Sequence, residues 1–396
     1  MRRASQRGCL TLMVTLGLCG GLGGAACHDL SAIPAPGDAG PETLTCQPGS
    51  LRQGDLCVPE PLSCQSLAAI CGPNKGENCC SHDRVESGRF DRGYDRSDTP
   101  DQDGIALTGW QSKDTAPAKM TAFFLDRYEV TVGRFRQFLE RFNTWKIDNP
   151  TVGEGSPRND AQESVIGDSG WRGGWRNDGA LYAQSRADLE TAIASRCSPT
   201  ILNRLNDPAR GDDAKPMTCV TWHEALLFCI WDGAGWLPTE AQWNYAAAHG
   251  EQQRAYPWST PPDSIALAAG QDANIGRGGG DLFLDDVGSH TAGKGAWGQF
   301  DLAGNAAEWT YGFCTDCRCY ADPLPDPTRT CPVLASVENP IDYDMDGTFL
   351  KFPNPVVRGG SYKYPAYRAR TAYRVPARAG GRFDDTGWRC ARPVPR

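Results

Sequence analysis

Apolar residues recur at helical spacing in three places along the chain. In TVGRFRQFLERF (131–142), Val132, Phe135, Phe138, Leu139 and Phe142 fall on one face, and Thr131 stands where a helix cap belongs. In TWHEALLFCIW, Thr221 and Glu224 have the three-residue spacing of a capping box. TEAQWNYAAAHG (239–250) repeats that spacing with Thr239 and Gln242, and Gly250 is placed to end the helix. Each such cap stabilises its helix by about 1 kcal/mol. His223, in the second helix, is expected at the surface. The C-terminal third has few helical periods and is broken by glycine, proline and aromatic residues, which predicts short strands joined by long loops. Residues 91–104, acidic and glycine-bearing, read as a surface loop, and no internal repeat is present.

Composition agrees with a loop-rich chain. Glycine (45) and proline (29) are abundant among 396 residues, while apolar content is ordinary enough for a sizeable core. A formal charge of −8 argues against a nucleic-acid partner, because a phosphate-binding face needs a basic surplus.

The N-terminus reads as an export signal spanning residues 1–26. Arg2, Arg3 and Arg7 precede a short apolar run (Thr11 to Cys19), too short and glycine-rich for a comfortable membrane span. GLGGAAC then resembles a bacterial lipobox in which Cys27 would be acylated, with Gly24 where leucine is usual. This predicts a lipoprotein anchored to a membrane of the bacterial envelope; cleavage after Ala26, leaving a free soluble protein, is the alternative. Residues 27–45 form a flexible tether without periodicity, and 46–81 a small cysteine-dense segment that needs disulfide staples.

Cysteine parity fits export. Of 17 cysteines, Cys9 and Cys19 leave with the signal and Cys27 is assigned to lipid, so 14 remain. Six lie between Cys46 and Cys80 and eight from Cys197 to Cys390, so each region can close its own disulfides. Cys314, Cys317 and Cys319 lack a second pair at zinc-site spacing. Asp342, Asp344 and Asp346 alternate before Gly347 like the start of an EF-hand. Pro353 occupies the place of its bidentate glutamate, so a solvated acidic turn is the reading retained.

From 82 to 396 several ordered motifs stand together: FFLDRYEVTVGRF, PMTCVTWHEALLFCIWDGAGWLPTEAQWNYAAA, WGQFDLAGNAAEW, VVRGGSY and GWRCAR. In this order they resemble the formylglycine-generating enzyme, or sulfatase-modifying factor, family, with an insertion around 143–215. The resemblance implies an α+β fold, a loop-rich variant of the C-type-lectin fold, preceded here by the small cysteine-rich segment. It also implies structural calcium: one ion near Asn274, Ile275, Asp281 and Phe283, and a second near Asp301, Gly304, Ala306 and Glu308. Calcium takes several hard oxygens from carboxylates, amides and backbone carbonyls. Without the resemblance, Asp301 and Glu308 would pass as ordinary loop acids. Cys229 with Cys390 matches a family disulfide, and Cys197 with Cys219 is read as a local pair.

Catalytic members of that family bind copper(I) through two cysteines after RGGSY, since soft thiolates select that ion. Counted without gaps, those places hold Tyr364 and Ala369, while Ser361 and Tyr362 are retained and Ala307 replaces a cleft tryptophan. Copper is therefore not expected. The histidines (His28, His82, His223, His249, His290) are not spaced as a facial iron set, and nothing places a base beside Ser361 for hydrolysis. The expected function is binding of a peptide, glycan or protein, or an unidentified envelope activity. The cleft candidates are Ser361, Tyr362 and Tyr364, with Tyr367, Arg368 and Arg370 as recognition residues; strand residues facing core and solvent by turns is the bland reading. The alternative is a formylglycine-generating oxidase with another ligand set.

Overall fold

The computed structural model describes residues 46–47, 50–53, 56–93, 117–146, 150–158, 169–233, 235–267, 272–277, 283–313 and 354–394. The signal-like stretch, Cys27, the tether, most of the 91–104 loop, Asp281, Cys314, Cys317, Cys319, Cys331 and the DYDMDG run lie outside the described residues. The chain divides into two compact units, 1–43 and 44–396, and every described residue belongs to the second.

Helix α1 (Val132–Trp145) begins as its sequence dictates, with the Thr131 side chain accepting from the Arg134 N–H. Its apolar face buries Val132, Phe135, Phe138, Leu139 and Phe142. Phe138 packs edge-on to Phe228 at 5.8 Å between ring centroids, and Phe135 packs edge-on to Trp388 at 5.5 Å. Both predicted capping boxes close, Thr221 with Glu224 before α4 (Trp222–Trp231) and Thr239 with Gln242 before α5 (Glu240–Ala247). All ten residues of α4 are buried, as expected of a helix apolar nearly all round. Helix α5 ends at Ala247, before Gly250, which instead opens a short turn with φ of +56°. Two further helices, α2 (Arg186–Arg196) and α3 (Pro199–Asn206), fill the insertion. The first buries only Leu189 and Ile193, too sparse a stripe to announce itself in sequence.

Short strands carry the rest. β3 (His82–Val85) and β11 (Ala391–Arg392) flank the fully buried β6 (Phe123–Asp126), both antiparallel to it. A second sheet runs β10–β7–β8–β9, from Thr386–Gly387, Ala307–Phe313, Pro355–Arg358 and Val375–Pro376. Here β7 and β8 are antiparallel, with Glu308 opposite Arg358, while β10 lies parallel to β7. Hairpins β1 (Ser50–Gln53) with β2 (Leu56–Pro59), and β4 (Gly88–Asp91) with β5 (Pro117–Met120), complete the described strands.

The cysteine-rich segment is integral to the fold. It closes Cys46–Cys57, Cys64–Cys80 and Cys71–Cys79, and the last four of these cysteines share a buried cluster with Tyr128, Ala214, Val287 and Phe300. Arg134 of α1 donates to Ser63 Oγ (3.0 Å) and to the Cys79 carbonyl (3.3 Å). The same guanidinium pairs with Asp126 (3.0 Å) and Asp232 (2.6 Å), and Arg392 pairs with both acids. Two arginines and two aspartates thus neutralise one another out of water. Burial pushes the Asp126 carboxyl up, but Arg392 and Arg134 overrule it and hold it below the usual range.

Cys197–Cys219 and Cys229–Cys390 are both bonded, the latter across a sequence separation of 161. Closing a loop of that length constrains the unfolded chain by about 5 kcal/mol in the loop-entropy account.

His223 corrects its sequence reading, because it is fully buried rather than at the surface. Trp175, Trp222 and Trp171 surround its ring edge-on at 4.9, 5.1 and 6.4 Å, and neither ring nitrogen has a hydrogen-bond partner. Burial drives its pKa down to about 3. The unfolded chain then holds one more proton than the folded chain between the ordinary histidine value and about pH 3. Stability should therefore fall as pH drops through that window, by up to about 1.4 kcal/mol per unit. His82, buried and brought down to about 4 by desolvation and Arg392, adds to the same limb. Urea titrations from pH 7 to pH 4 should show a flatter acid limb for His223→Phe; an unaltered slope would refute the assignment.

Candidate functional site

The stretch after β8 holds the cleft candidates, and ion pairs anchor it from beneath. Arg358 donates to the Thr371 (2.9 Å) and Tyr373 (2.8 Å) carbonyls and pairs with Glu240, which also binds Arg374 (2.6 Å). Gly360, with φ of +64°, lets the chain turn against the residues 366–369. A Cβ at this position would meet the Ala369 nitrogen and the Arg368 carbonyl at 2.9 Å.

Ser361 is fully buried and donates to Asp385 Oδ2 at 2.8 Å. Burial raises the Asp385 carboxyl above its ordinary value despite that bond. Ser361 therefore acts as a strut between the loop and β10, whose neighbour Ala307 donates its N–H to the Asp385 carbonyl at 2.9 Å. Tyr362 is buried too, beside Leu284 and Ala306, and so is Arg370, contrary to the exposed roles expected of them. Tyr364 is 37% exposed and Phe283 40% exposed. Arg368 lies 4.2 Å over the Tyr364 ring. Ala369 is buried with Ala255, Tyr256 and Ala303.

The loop is stitched to the segments carrying the expected cation ligands. Tyr362 N–H donates to the Asn305 carbonyl (3.0 Å), while the Tyr362 and Tyr364 carbonyls accept from Arg277 (2.7 Å) and Gly276 (2.9 Å). Asn274 Nδ2 donates to the Phe283 carbonyl (2.6 Å) and to Asn305 Oδ1 (3.1 Å). A Cβ on Gly304 would lie 2.6 Å from both the Asn274 carbonyl and an Ile275 side-chain carbon. Asn274, Ile275, Phe283 and Gly304 therefore lie together, with Asn305 at the centre.

Three buried acids gather nearby. Glu308 is held by the Arg389 fork (2.7–2.9 Å) and by Trp243 Nε1 (2.8 Å). Asp301 accepts from Gly288 N–H at 2.7 Å. Glu129 accepts from Ala306 N–H and Asn305 Nδ2, both at 2.8 Å, and makes no direct ion pair among the described residues. Burial, then Asp301 and Glu308, push the Glu129 carboxyl well above its usual range. Burial likewise raises Asp301 to about 6. One guanidinium faces three carboxylates, and Asn274 Oδ1 is buried without a partner among the described residues. Among the described residues no three carboxylate, imidazole or thiol groups converge on one point to hold an ion by themselves. A hard cation here would draw on backbone carbonyls and the Asn274 amide as well.

The sulfatase-modifying factor enzyme 1-like domain matches residues 71–394 of the chain. The chain belongs to that family. It is 27% identical over 297 residues to the formylglycine-generating enzyme of Bos taurus, covering 70% of this chain and 68% of the relative. It is 24% identical over 332 residues to the inactive C-alpha-formylglycine-generating enzyme 2 of Bos taurus, covering 78% and 86%. Among solved structures, PvdO from Pseudomonas aeruginosa aligns over 79% of this chain and 94% of its own, at 17% identity and a TM-score of 0.45. The family thus includes both active and inactive relatives of this sulfatase-modifying-factor-like chain.

Sequence reasoning missed Glu129, Asn305 and Arg389. Glu129 sits in FFLDRYEVT just before the Thr131 cap, where nothing in the pattern separates a buried acid from a solvated one. Asn305 carries a signal only in hindsight: its φ of +59° is one that asparagine tolerates, in a run already rich in loop residues.

Proposed function

We propose that this sulfatase-modifying-factor-like protein is an exported, lipid-anchored binding protein of the bacterial envelope. In this reading its domain is a C-type-lectin variant and its calcium is structural. The supporting observation is the chemistry where copper would bind. Tyr364 and Ala369 offer no thiolate, and all ten described cysteines are committed to disulfides. The described residues therefore do not fit copper(I), which selects soft thiolates. Mixed with copper and a Cys-x-Pro-x-Arg peptide in air, the purified protein should form no aldehyde. A copper- and oxygen-dependent aldehyde signal would sink the binding reading in favour of the oxidase alternative, with ligands drawn from the cysteines at 314–319.

The oxygens around Asn305 fit calcium. The excess of buried acid and the buried Asn274 Oδ1 support this, with Asp301, Gly304, Ala306 and Glu308 as the expected holders of one ion and Glu129 as an added carboxylate beside them. Asn274, Ile275 and Phe283, with Asp281 outside the described residues, would hold the other. Calcium would supply rigidity to loops that bury few ladder hydrogen bonds.

The anchor rests on the GLGGAAC motif at Cys27. No helix among the described residues is long and apolar enough to cross a membrane. Each buried methylene of a lipid chain adds about 0.8 kcal/mol, so several chains hold a protein at a bilayer. Cys27→Ser should shift the protein out of the membrane fraction; wild-type protein that is already soluble and free of lipid by mass spectrometry would contradict it.

A further inference from the structure

Arg368 differs in its setting from the arginines that brace the fold. Arg127, Arg134, Arg358, Arg382, Arg389 and Arg392 each pair with a carboxylate. Among the described residues no carboxylate pairs with Arg368, and its hydrogen bond is a long one of 3.4 Å from Nε to the Tyr367 hydroxyl. Its guanidinium instead lies over aromatic rings, 4.2 Å from the centroid of Tyr364, 5.9 Å from Tyr367 and 6.0 Å from Tyr373. Tyr367 and Tyr373 are themselves packed edge-on at 5.6 Å. A guanidinium held over rings in this way keeps its charge and its terminal N–H donors, which make no ion pair among the described residues.

We propose that Arg368, framed by Tyr364, Tyr367 and Tyr373, is a receptor for a carboxylate, and that the carboxylate is borne by an acidic peptide. This rests on the binding reading above and names the ligand class. The guanidinium offers donors, and Arg368, Tyr364, Tyr367 and Tyr373 include no carboxylate or amide side chain. A carboxylate, which only accepts, matches that set in bidentate fashion. Neutral sugar hydroxyls, which also donate, would find no strong acceptor in it, and one face of Tyr364 is already covered by Arg368. Exposed apolar surface on Tyr364, and on Phe283 of the segment packed against Tyr362 at 6.3 Å, suits the side chains flanking an acidic peptide residue.

The test is calorimetric titration of the mature protein with acetyl-Phe-Glu-Phe amide, whose only charge is one carboxylate, and with its glutamine counterpart. The glutamate peptide should bind saturably and the glutamine peptide at least about tenfold more weakly. Arg368→Gln should weaken the glutamate peptide by a similar factor and leave the glutamine peptide unchanged. Arg368→Lys, which keeps the charge but loses the fork, should fall between. Thermal midpoints of both variants should match the wild type, because Arg368 is only half-buried. Equal affinity for the two peptides, indifference to Arg368→Gln, or no saturable binding of the glutamate peptide would overturn the proposal. Binding of glucuronate without binding of the peptide would overturn the peptide assignment. These failures differ from failure of the binding reading itself, which falls only if the aldehyde forms.

Discussion

Arg134→Met should destabilise the protein by about 3–5 kcal/mol in urea unfolding with the disulfides intact. Removing one partner from a buried ion pair strands the other charge, and the cost is that of the unpaired ion rather than of the lost contact. Asp126, Asp232 and Arg134 are all fully buried, and Arg392 alone cannot neutralise both aspartates. The variant should also loosen the cysteine-rich segment, since Arg134 bonds Ser63 and the Cys79 carbonyl. Amide exchange within residues 56–81 should accelerate more than exchange in the β7–β8 pair. Adding Asp232→Asn should recover part of the stability, because the buried charge returns to balance while an amide oxygen remains for the Ser63 N–H. A loss below about 1 kcal/mol would show that the quartet is hydrated and not the buried network described.

Chelating calcium should lower the thermal midpoint, and Glu129→Gln should erase most of that response. A ligand that binds only the folded state stabilises it by about 2.7 kcal/mol at one hundred times its dissociation constant. Glu308 is the poorer variant for this purpose. Its carboxylate is already bound by Arg389 and Trp243, so Glu308→Ala would strand Arg389 with or without calcium. Glu129 makes no ion pair among the described residues and feels Arg389 only at a distance, so Glu129→Gln disturbs fewer partners than Glu308→Ala. An unchanged midpoint in chelator, with no calcium in the native protein by elemental analysis, would eliminate both sites.

The parts of the fold written in local chemistry were legible in advance. Thr131, Thr221 and Thr239 cap their helices because a cap needs only a side chain and an N–H three residues on. The short C-terminal strands followed from glycine and proline punctuation. What escaped was set by partners far away in sequence. His223 looked like a surface residue until three tryptophans, two of them from the insertion and 52 and 48 positions earlier, enclosed it. Tyr362 and Arg370 were expected to face solvent, but their neighbours across the loop cover them. Glu129 became visible only when β7 and its preceding turn brought Asn305 and Ala306 to it, across 176 and 177 residues.

The contact between Gly360 and the backbone at residues 368 and 369 ties two parts of the loop together. Ala369 lies sealed beneath that turn, packed with Ala255, Tyr256 and Ala303. A thiol reintroduced there would displace packed atoms and face away from solvent and oxygen, while one at Tyr364 would open the aromatic frame around Arg368. A side chain added at Gly360 would therefore be felt at both ends of the loop, in the packing of Ala369 and in the aromatic frame of Arg368, so the turn works as a hinge pin that holds the two in register.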